Sequence, residues 1–308
     1  MPEDRHRALD RAGLLAALGC YLLWGAFPLL FHAIGVRGAG SWEIVGWRTV
    51  FSVPVALALV MATGRLSAVR EIAIRPRQLM LLTLSAFLVG SNWAVYVWAV
   101  SSGQTLSASL GYYINPLVNA AVGAIFFREQ ISRFGKIALG LATIGVIVQA
   151  LALGAPPWVA LVLAFSFASY GIVRKQVDAD AQSGILIECI VLSPVAIAVL
   201  CWLNSHGGLH FGRSISLSLL LLSCGPATVI PLTLFAFAAR RLPLNVIGFM
   251  QFLTPTILFM FGLVQGEKLP PLSLLAFGFI WTGVIVFATD LVIRLRRESA
   301  DRTAAAAS

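Results

Sequence analysis

Two ionisable residues, Arg48 and Glu188, lie well inside long apolar stretches of the sequence. A charge at the centre of a lipid bilayer costs roughly 2.5–3.5 kcal/mol on insertion scales, so such residues usually face a cavity or a partner. Glu188 could carry a proton along a pathway through a membrane, or it could only join neighbouring helices. Arg48 could hold the anionic group of a ligand, or its side chain could extend outward to the interface. We expect no direct ion pair between them, because helix geometry separates their depths by about 13 Å.

Aromatic and amide residues within the apolar stretches form a second group of candidates. Asn92 and Tyr96 share one helix face at i, i+4 spacing, and Tyr112 and Asn115 share another at i, i+3 spacing. Such residues can line a cavity with stacking surfaces and orienting hydrogen bonds. The alternatives are that tyrosine and tryptophan lie at the membrane interface and that amides join helices. The remaining candidates of this kind are Trp24, Trp93, Tyr170, Gln251 and, close to Gln251, Thr254.

The composition identifies the class of protein that must position these residues. The chain has 308 residues, of which 59% are hydrophobic and 11% are charged. A soluble domain carries roughly a quarter charged residues, so the composition excludes a soluble enzyme, a disordered chain and a nucleic-acid-binding domain. The four cysteines lie in apolar runs, which predicts buried thiols and not a disulfide framework or a zinc site. Gly135–Lys136 lacks the rest of a phosphate-binding loop, and we expect no cofactor, no metal and no enzyme activity.

Ten apolar runs are long enough to cross a bilayer as helices, which takes about 20 residues each. The runs are continuously apolar and do not alternate, so they predict an all-α polytopic membrane protein and not a barrel. Eighteen of the 22 Lys and Arg residues lie in one alternate set of gaps and tails, and three lie in the other set. This bias predicts that both termini are cytoplasmic. The predicted spans are 12–34, 42–63, 78–100, 107–127, 135–153, 157–173, 183–203, 215–238, 243–264 and 272–293, with cytoplasmic tails at 1–11 and 294–308.

The two halves of the sequence, 12–153 and 154–293, resemble each other at an offset near 140 residues. Pro54 and Pro194 stand 140 positions apart, and Pro116 and Pro255 stand 139 apart. Because each half holds five spans, an odd number, the second half is predicted to enter the membrane inverted, as in many secondary transporters. Proline removes a backbone hydrogen bond and kinks a helix, so we predict that these four prolines act in gating. The fifth and tenth spans carry glycine without proline and are predicted to form a scaffold.

Several segments also carry a resemblance to a known family. They are Gly90–Ser91–Asn92–Trp93, the run from Ala108 to Leu117, Ala164–Phe165–Ser166–Phe167, Tyr170–Gly171 with Val173–Arg174–Lys175, and the run from Gly184 to Glu188. With these segments in the same order over residues 12–295, the chain resembles the RarD group of the EamA family, within the drug/metabolite transporter superfamily. The resemblance implies a ten-helix permease of two five-helix repeats in a bacterial inner membrane. Proteins of this group are described as chloramphenicol-sensitivity proteins, and the resemblance implies no particular substrate.

The sequence therefore predicts a secondary transporter that moves a small amphipathic metabolite or drug by alternating access. Export is the expected direction, by analogy with the family alone, and protons carried by Glu188 could supply the energy. The expected partners are a small-molecule substrate and the lipid bilayer, without nucleic acid, and the oligomeric state stays open. Two alternatives remain: a flippase for lipids or lipid-linked precursors, and a membrane chaperone or sensor subunit that transports nothing.

Overall fold

The computed structural model describes residues 10–126, 131–152, 158–242, 244–266 and 270–307, and the regular structure within these ranges is entirely helical. Large apolar side chains such as Leu15, Phe165 and Ile285 are exposed on the outside of the bundle, as expected for a surface that faces lipid. The helices are α1 (Arg11–Gly25), α2 (Phe27–Gly35), α3 (Ser41–Ala62), α4 (Leu66–Ala73), α5 (Pro76–Ser101), α6 (Thr105–Phe126), α7 (Arg133–Ala152), α8 (Trp158–Gln176), α9 (Ala181–Ser205), α10 (Ile215–Ala239), α11 (Leu244–Met250), α12 (Leu253–Val264) and α13 (Pro271–Ala307).

Eight segments of the described chain are long and apolar enough to cross a membrane, so the chain is a multi-pass helical membrane protein. They coincide with eight of the ten predicted spans. The predicted spans 107–127 and 157–173 coincide with α6 and α8, which are not among the eight. Amides and tyrosines lower the hydropathy of α6, and the apolar part of α8 is the shorter stretch Trp158–Arg174. The count of ten spans remains a prediction.

Two of the predicted spans are interrupted in the structure. The span 12–34 is divided into α1 and α2 at Ala26, and the span 243–264 is divided into α11 and α12 at residues 251–252. A proline follows each interruption: Pro28 lies in the first turn of α2, and Pro255 is the third residue of α12. Proline suits the first turn of a helix because the backbone N–H that it lacks would have no partner there.

Helices of the two halves pack against each other in pairs. Extensive contacts join α1 to α10, α3 to α9, α5 to α8 and α7 to α13, and α6 packs on both α11 and α12. The most extensive contact is between α7 and α13, the predicted scaffold. Glycines permit it: a Cβ added to Gly145 would lie 2.6 Å from the carbonyl oxygen of Ala276, and one added to Gly283 would lie 2.7 Å from that of Ala138.

Replacing Gly283 by alanine is expected to destabilise the protein, because the added methyl group would press on backbone that moves only if the two helices separate. Overpacking of this kind typically costs about 1–3 kcal/mol. Gly278, on the same helix, is a matched control, since a Cβ there meets no atom of the described chain within 4 Å. Thermal unfolding of the purified protein should show a lower Tm for Gly283→Ala and an unchanged or higher Tm for Gly278→Ala. Equal Tm values for the two variants would contradict the close packing.

The cysteines depart from the prediction at one position. Cys20, Cys189 and Cys224 are buried, as predicted, but Cys201 is exposed near the end of α9. An apolar run predicts membrane depth and does not distinguish a side chain that faces lipid from one that faces the core. Cys201 therefore offers a single accessible thiol in the described part of the chain.

Candidate functional site

A cavity lies at the centre of the bundle, between helices of both halves. Its free volume is only about 30 Å³, room for very few water molecules, so its walls stand close together in this conformation. Seven of the ten predicted pathway residues lie in its wall: Trp24, Arg48, Asn92, Trp93, Tyr96, Tyr112 and Gln251. Thr254, the candidate close to Gln251, also lies in the wall, and three lining residues were not predicted, namely Phe27, Phe167 and Leu232.

Arg48 is the charged residue in the cavity wall. Its side chain is buried, and its Nε donates a hydrogen bond of 2.8 Å to Oγ1 of Thr228. The guanidinium carbon lies 4.4 Å from the ring centroid of Trp93, 5.1 Å from that of Phe27 and 5.8 Å from that of Phe31. Among the residues that the structure describes, no atom accepts a hydrogen bond from its Nη1. Arg48 thus points inward, and the alternative that it extends to the interface is wrong for this conformation.

Amide and phenol groups fix the shape of one side of the cavity. Nδ2 of Asn92, on α5, donates to the carbonyl oxygen of Leu163 at 2.9 Å and to Oγ of Ser166 at 3.0 Å, both on α8. The hydroxyl of Tyr112 donates to Oδ1 of Asn92 at 3.4 Å. Asn92 therefore joins α5 to α8 and also lines the cavity, so it combines the two roles considered for amides in the sequence analysis.

Tyr96 completes this side of the wall. Its ring meets that of Tyr112 edge-on, with centroids 5.3 Å apart. The ring also lies 6.0 Å from that of Phe31, which flanks Arg48. Its hydroxyl is buried and has no hydrogen-bond partner within the described ranges.

The two interrupted helices meet at the cavity. Trp24 lies just before the break at Ala26, and Gln251 lies in the break between α11 and α12. The hydroxyl of Tyr21 donates to the carbonyl oxygen of Ile247 at 3.2 Å, and Oγ1 of Thr254 donates to that of Tyr21 at 2.9 Å. These bonds join α1 to α11 and α12 close to the two interruptions. Ala26 and Phe252 keep right-handed helical backbone angles, so each interruption is a local kink within one membrane span.

Glu188 lies outside the cavity wall, in a buried cluster between α5, α8 and α9. Its Oε1 lies 3.7 Å from Nε of Arg174 and accepts a hydrogen bond of 2.5 Å from Oγ of Ser85. Tyr170 of α8 lies beside this cluster. Arg174 was predicted in a cytoplasmic gap between spans, but it belongs to α8 and its side chain is mostly buried. As expected, Glu188 makes no direct ion pair with Arg48.

The remaining predicted residues are dispersed. Asn115 is buried in α6 away from the cavity wall, and neither of its amide atoms has a partner in the part of the chain that the structure describes. Pro54 and Pro194 lie inside α3 and α9, as predicted. Pro116 falls within α6, but its side chain lies outside the described set. Two further prolines of α10, at positions 226 and 231, were not singled out from the sequence.

A second buried carboxylate lies near the start of α3. Glu43 accepts hydrogen bonds from the backbone N–H groups of His210 at 2.7 Å and Phe211 at 2.9 Å. Its Oε2 lies 3.0 Å from Nδ1 of His210. The sequence gives no sign of this contact, because 167 residues separate the partners. It ties the segment between α9 and α10 to α3.

Comparison with known proteins places this architecture. Residues 11–151 match the EamA-like transporter family. The chain is 39% identical to protein RarD of Salmonella typhi, over 94% of this chain and 98% of that protein. It is 36% identical to protein RarD of Streptomyces exfoliatus, over 96% and 94% of the two chains. It is 30% identical to the chloramphenicol-sensitive protein RarD of Pseudomonas aeruginosa, over 93% and 97%.

A solved crystal structure shares the fold with a TM-score of 0.67 over 92% of this chain and 98% of that one, at 18% sequence identity. Together these similarities define a multi-pass membrane transporter of the bacterial inner membrane. The chain belongs to the EamA-like transporter family, and within it to the RarD-type permeases, which confirms the resemblance stated from the sequence.

Proposed function

We propose that the protein is a secondary transporter that moves a small amphipathic metabolite or drug through the central cavity by alternating access. The observation that carries this proposal is the cavity itself, which lies between the two halves and combines aromatic walls with amides and one cation. Binding sites for small molecules are largely apolar with a few placed polar groups. Export is the proposed direction, and both termini are proposed to be cytoplasmic.

The packing of the helices supports inverted five-helix repeats. If the two halves are exchanged, α1 takes the place of α8, α3 that of α9, and α5 that of α10. The contact of α1 with α10 then becomes that of α8 with α5, which is present. The contact of α3 with α9 and the contact of α7 with α13 are each unchanged by this exchange. This two-fold pattern is expected when a ten-helix bundle is built from repeats of opposite orientation.

We place the coupling to protons on Glu188. It is a buried carboxylate whose partners, Ser85 and Arg174, can hold its charged form. Phe167 links the two sites, because its ring lies 5.9 Å from that of Tyr170 and also lines the cavity. Movement of α8 during transport would therefore change both the cavity and the contacts of Glu188.

The test is flux in proteoliposomes against a panel of amphipathic metabolites, chloramphenicol-like drugs and lipids. Trp93→Ala removes a cavity wall and should reduce flux about tenfold, which corresponds to about 1.4 kcal/mol of lost binding. Trp202→Ala is the matched control, since Trp202 is exposed at the end of α9, and should transport normally. In the same assay Glu188→Gln should retain ligand binding but lose the dependence of flux on a pH gradient.

Three other outcomes would decide against parts of this proposal. Flux of lipids alone would favour a flippase. Ligand binding without flux of any compound would favour a chaperone or sensor subunit. A pH-dependent flux that survives Glu188→Gln would remove the coupling role and leave the transporter.

A further inference from the structure

No ion pair of the described residues balances the charge of Arg48. Arg48 is the charged member of the cavity wall. Placing a cation away from water is unfavourable unless a counter-charge and hydrogen bonds compensate it. The cation–π contacts with Trp93 and Phe27 offset only part of that cost. They provide neither a negative charge nor an acceptor for Nη1.

The buried carboxylates of the described chain are already engaged elsewhere. Glu188 pairs with Arg174, and Glu43 pairs with His210. Asp290 accepts a hydrogen bond of 2.8 Å from Ser132, at the α7–α13 contact. None of these three residues lies in the cavity wall. The counter-charge for Arg48 is therefore expected from a bound molecule.

The unused hydrogen-bonding groups in the wall agree with an anionic ligand. Nη1 of Arg48 and the hydroxyl of Tyr96 are both buried and without a partner among the described residues, and both residues line the same cavity. A guanidinium is a donor only, and a tyrosine hydroxyl readily donates. A carboxylate offers two acceptor oxygens, and hydrogen bonds to charged groups contribute about 1.5–3 kcal/mol each.

The same wall limits the rest of the ligand. One cation matches one negative charge, which favours a carboxylate over a doubly charged phosphate. A wall without a carboxylate leaves the ammonium group of an amino acid unpaired, and Arg48 already lies over Phe27 and Trp93. The rings of Trp24 and Phe167, with centroids 5.7 Å apart, provide apolar surface for the body of the molecule.

We propose that the cavity binds an organic monoanion, a carboxylate on an apolar or aromatic body without an ammonium group, and that Arg48 holds the carboxylate. This inference rests on the proposed transport function of the same cavity. The proposal restricts the amphipathic substrate to molecules with one negative charge. It also makes Arg48 the residue that selects anionic molecules over neutral ones of similar shape.

The test uses the purified full-length protein and four related probes: phenylpropionate, its neutral amide, phenylalanine and phenyl phosphate. Binding is measured by the change in tryptophan fluorescence, because Trp24 and Trp93 line the cavity. Phenylpropionate should bind at least about tenfold more tightly than the amide, as expected when a charged hydrogen bond of about 1.5 kcal/mol is lost. Phenylalanine and phenyl phosphate should also bind more weakly than phenylpropionate.

Substitutions then assign the preference to one side chain. Arg48→Gln should abolish the preference for the acid over the amide, and Arg48→Lys should retain part of it. Arg37→Gln is the matched control, because it removes the same charge from an exposed side chain that bonds to Ser216 at 3.0 Å. It should bind all four probes as the unmodified protein does. The comparison of acid with amide on the unmodified protein does not depend on whether the Arg48 variants fold.

The outcomes separate this inference from the proposed function. If the amide binds as tightly as the acid, or if Arg48→Gln keeps the preference, the inference is overturned. Should neutral compounds then still cross proteoliposome membranes, the transport function stands without it. If none of the four probes binds, the inference is likewise overturned. The inference and the proposed transport function are both overturned if, in addition, no compound of the flux panel crosses the proteoliposome membrane.

Discussion

A disulfide formed between cysteines introduced by Gly25→Cys and Ile257→Cys is expected to stop transport. Gly25 is the last residue of α1, and Ile257 lies in the first turns of α12. Both positions lie beside a helix interruption, and Trp24 and Thr254 of the same segments line the cavity. If the cavity opens alternately to the two sides, these segments must move relative to each other. A covalent bond between them would hold the conformation described here.

The geometry suits such a bond. A Cβ built on Gly25 would lie 3.0 Å from Cβ of Ile257, and the shorter contact of 2.5 Å to its Cδ1 disappears when isoleucine becomes cysteine. Disulfides need Cβ atoms about 3.5–4.5 Å apart, so a small adjustment allows the bond. The exposed Cys201 is replaced by serine in every variant so that it does not react. Flux should fall to background under oxidation and return on reduction.

The control is a second cross-link, between Ser132→Cys and Asp290→Cys. These side chains already meet at 2.8 Å and join the start of α7 to α13. Because α7 and α13 are predicted to be scaffold, this bond should leave flux intact. Flux that survives the first cross-link, or that is lost equally with both, would contradict alternating access at the interrupted helices.

Glu188→Gln is expected to reduce stability by about 3–5 kcal/mol, because it leaves Arg174 as a buried cation without its counter-charge. The side chains of the pair are 12% and 3% exposed, so solvent compensates little of the loss. Glu71→Gln provides the comparison. Glu71 pairs with Arg75 at 3.9 Å, but these side chains are 64% and 57% exposed, and such pairs contribute about 0–1 kcal/mol.

A double substitution identifies the cause of the loss. Replacing Arg174 by methionine in the Glu188→Gln background removes the unpaired cation and should restore part of the stability. Thermal unfolding of the unmodified protein, Glu188→Gln, Arg174→Met and the double variant gives the coupling between the two positions. If Glu188→Gln and Glu71→Gln unfold at the same temperature, the ion pair has no structural importance. If the double variant is no more stable than Glu188→Gln, the loss arises from another contact, such as that with Ser85.

The sequence predicted membrane depth well, and the reason is physical. Polar side chains in a lipid environment need a cavity or a partner, so Arg48, Asn92 and Gln251 could be recognised from residue type and depth alone. Apolar lining residues such as Phe167 and Leu232 could not be recognised, because the same residue types also face lipid. Only the three-dimensional packing of the helices separates the two environments.

Long-range partners were the second limit. The positive-inside count assigned Arg174 to a gap between spans because it adjoins Lys175, whereas the structure pairs it with Glu188. Glu43 and His210 lack any local pattern that would connect them. The helix interruptions could be predicted only in part. Pro28 and Pro255 lie close to the starts of helices, which suggests an interruption before each of them. Proline at membrane depth is also compatible with a kinked but continuous helix, and Pro54 and Pro194 lie inside such helices.

The unbalanced charge of Arg48 has an electrical consequence. A bacterial inner membrane is negative inside, and moving one elementary charge across it changes the free energy by about 2.3 kcal/mol per 100 mV. An empty cavity carries the cation of Arg48, so the voltage favours the conformation in which that cation lies nearer to the cytoplasm. A bound monoanion neutralises the site, and the voltage then no longer acts on it. If the proposed export function and the monoanion assignment hold, the resting potential would return the empty carrier to the cytoplasmic side for loading and would itself favour export, in addition to any proton that Glu188 carries.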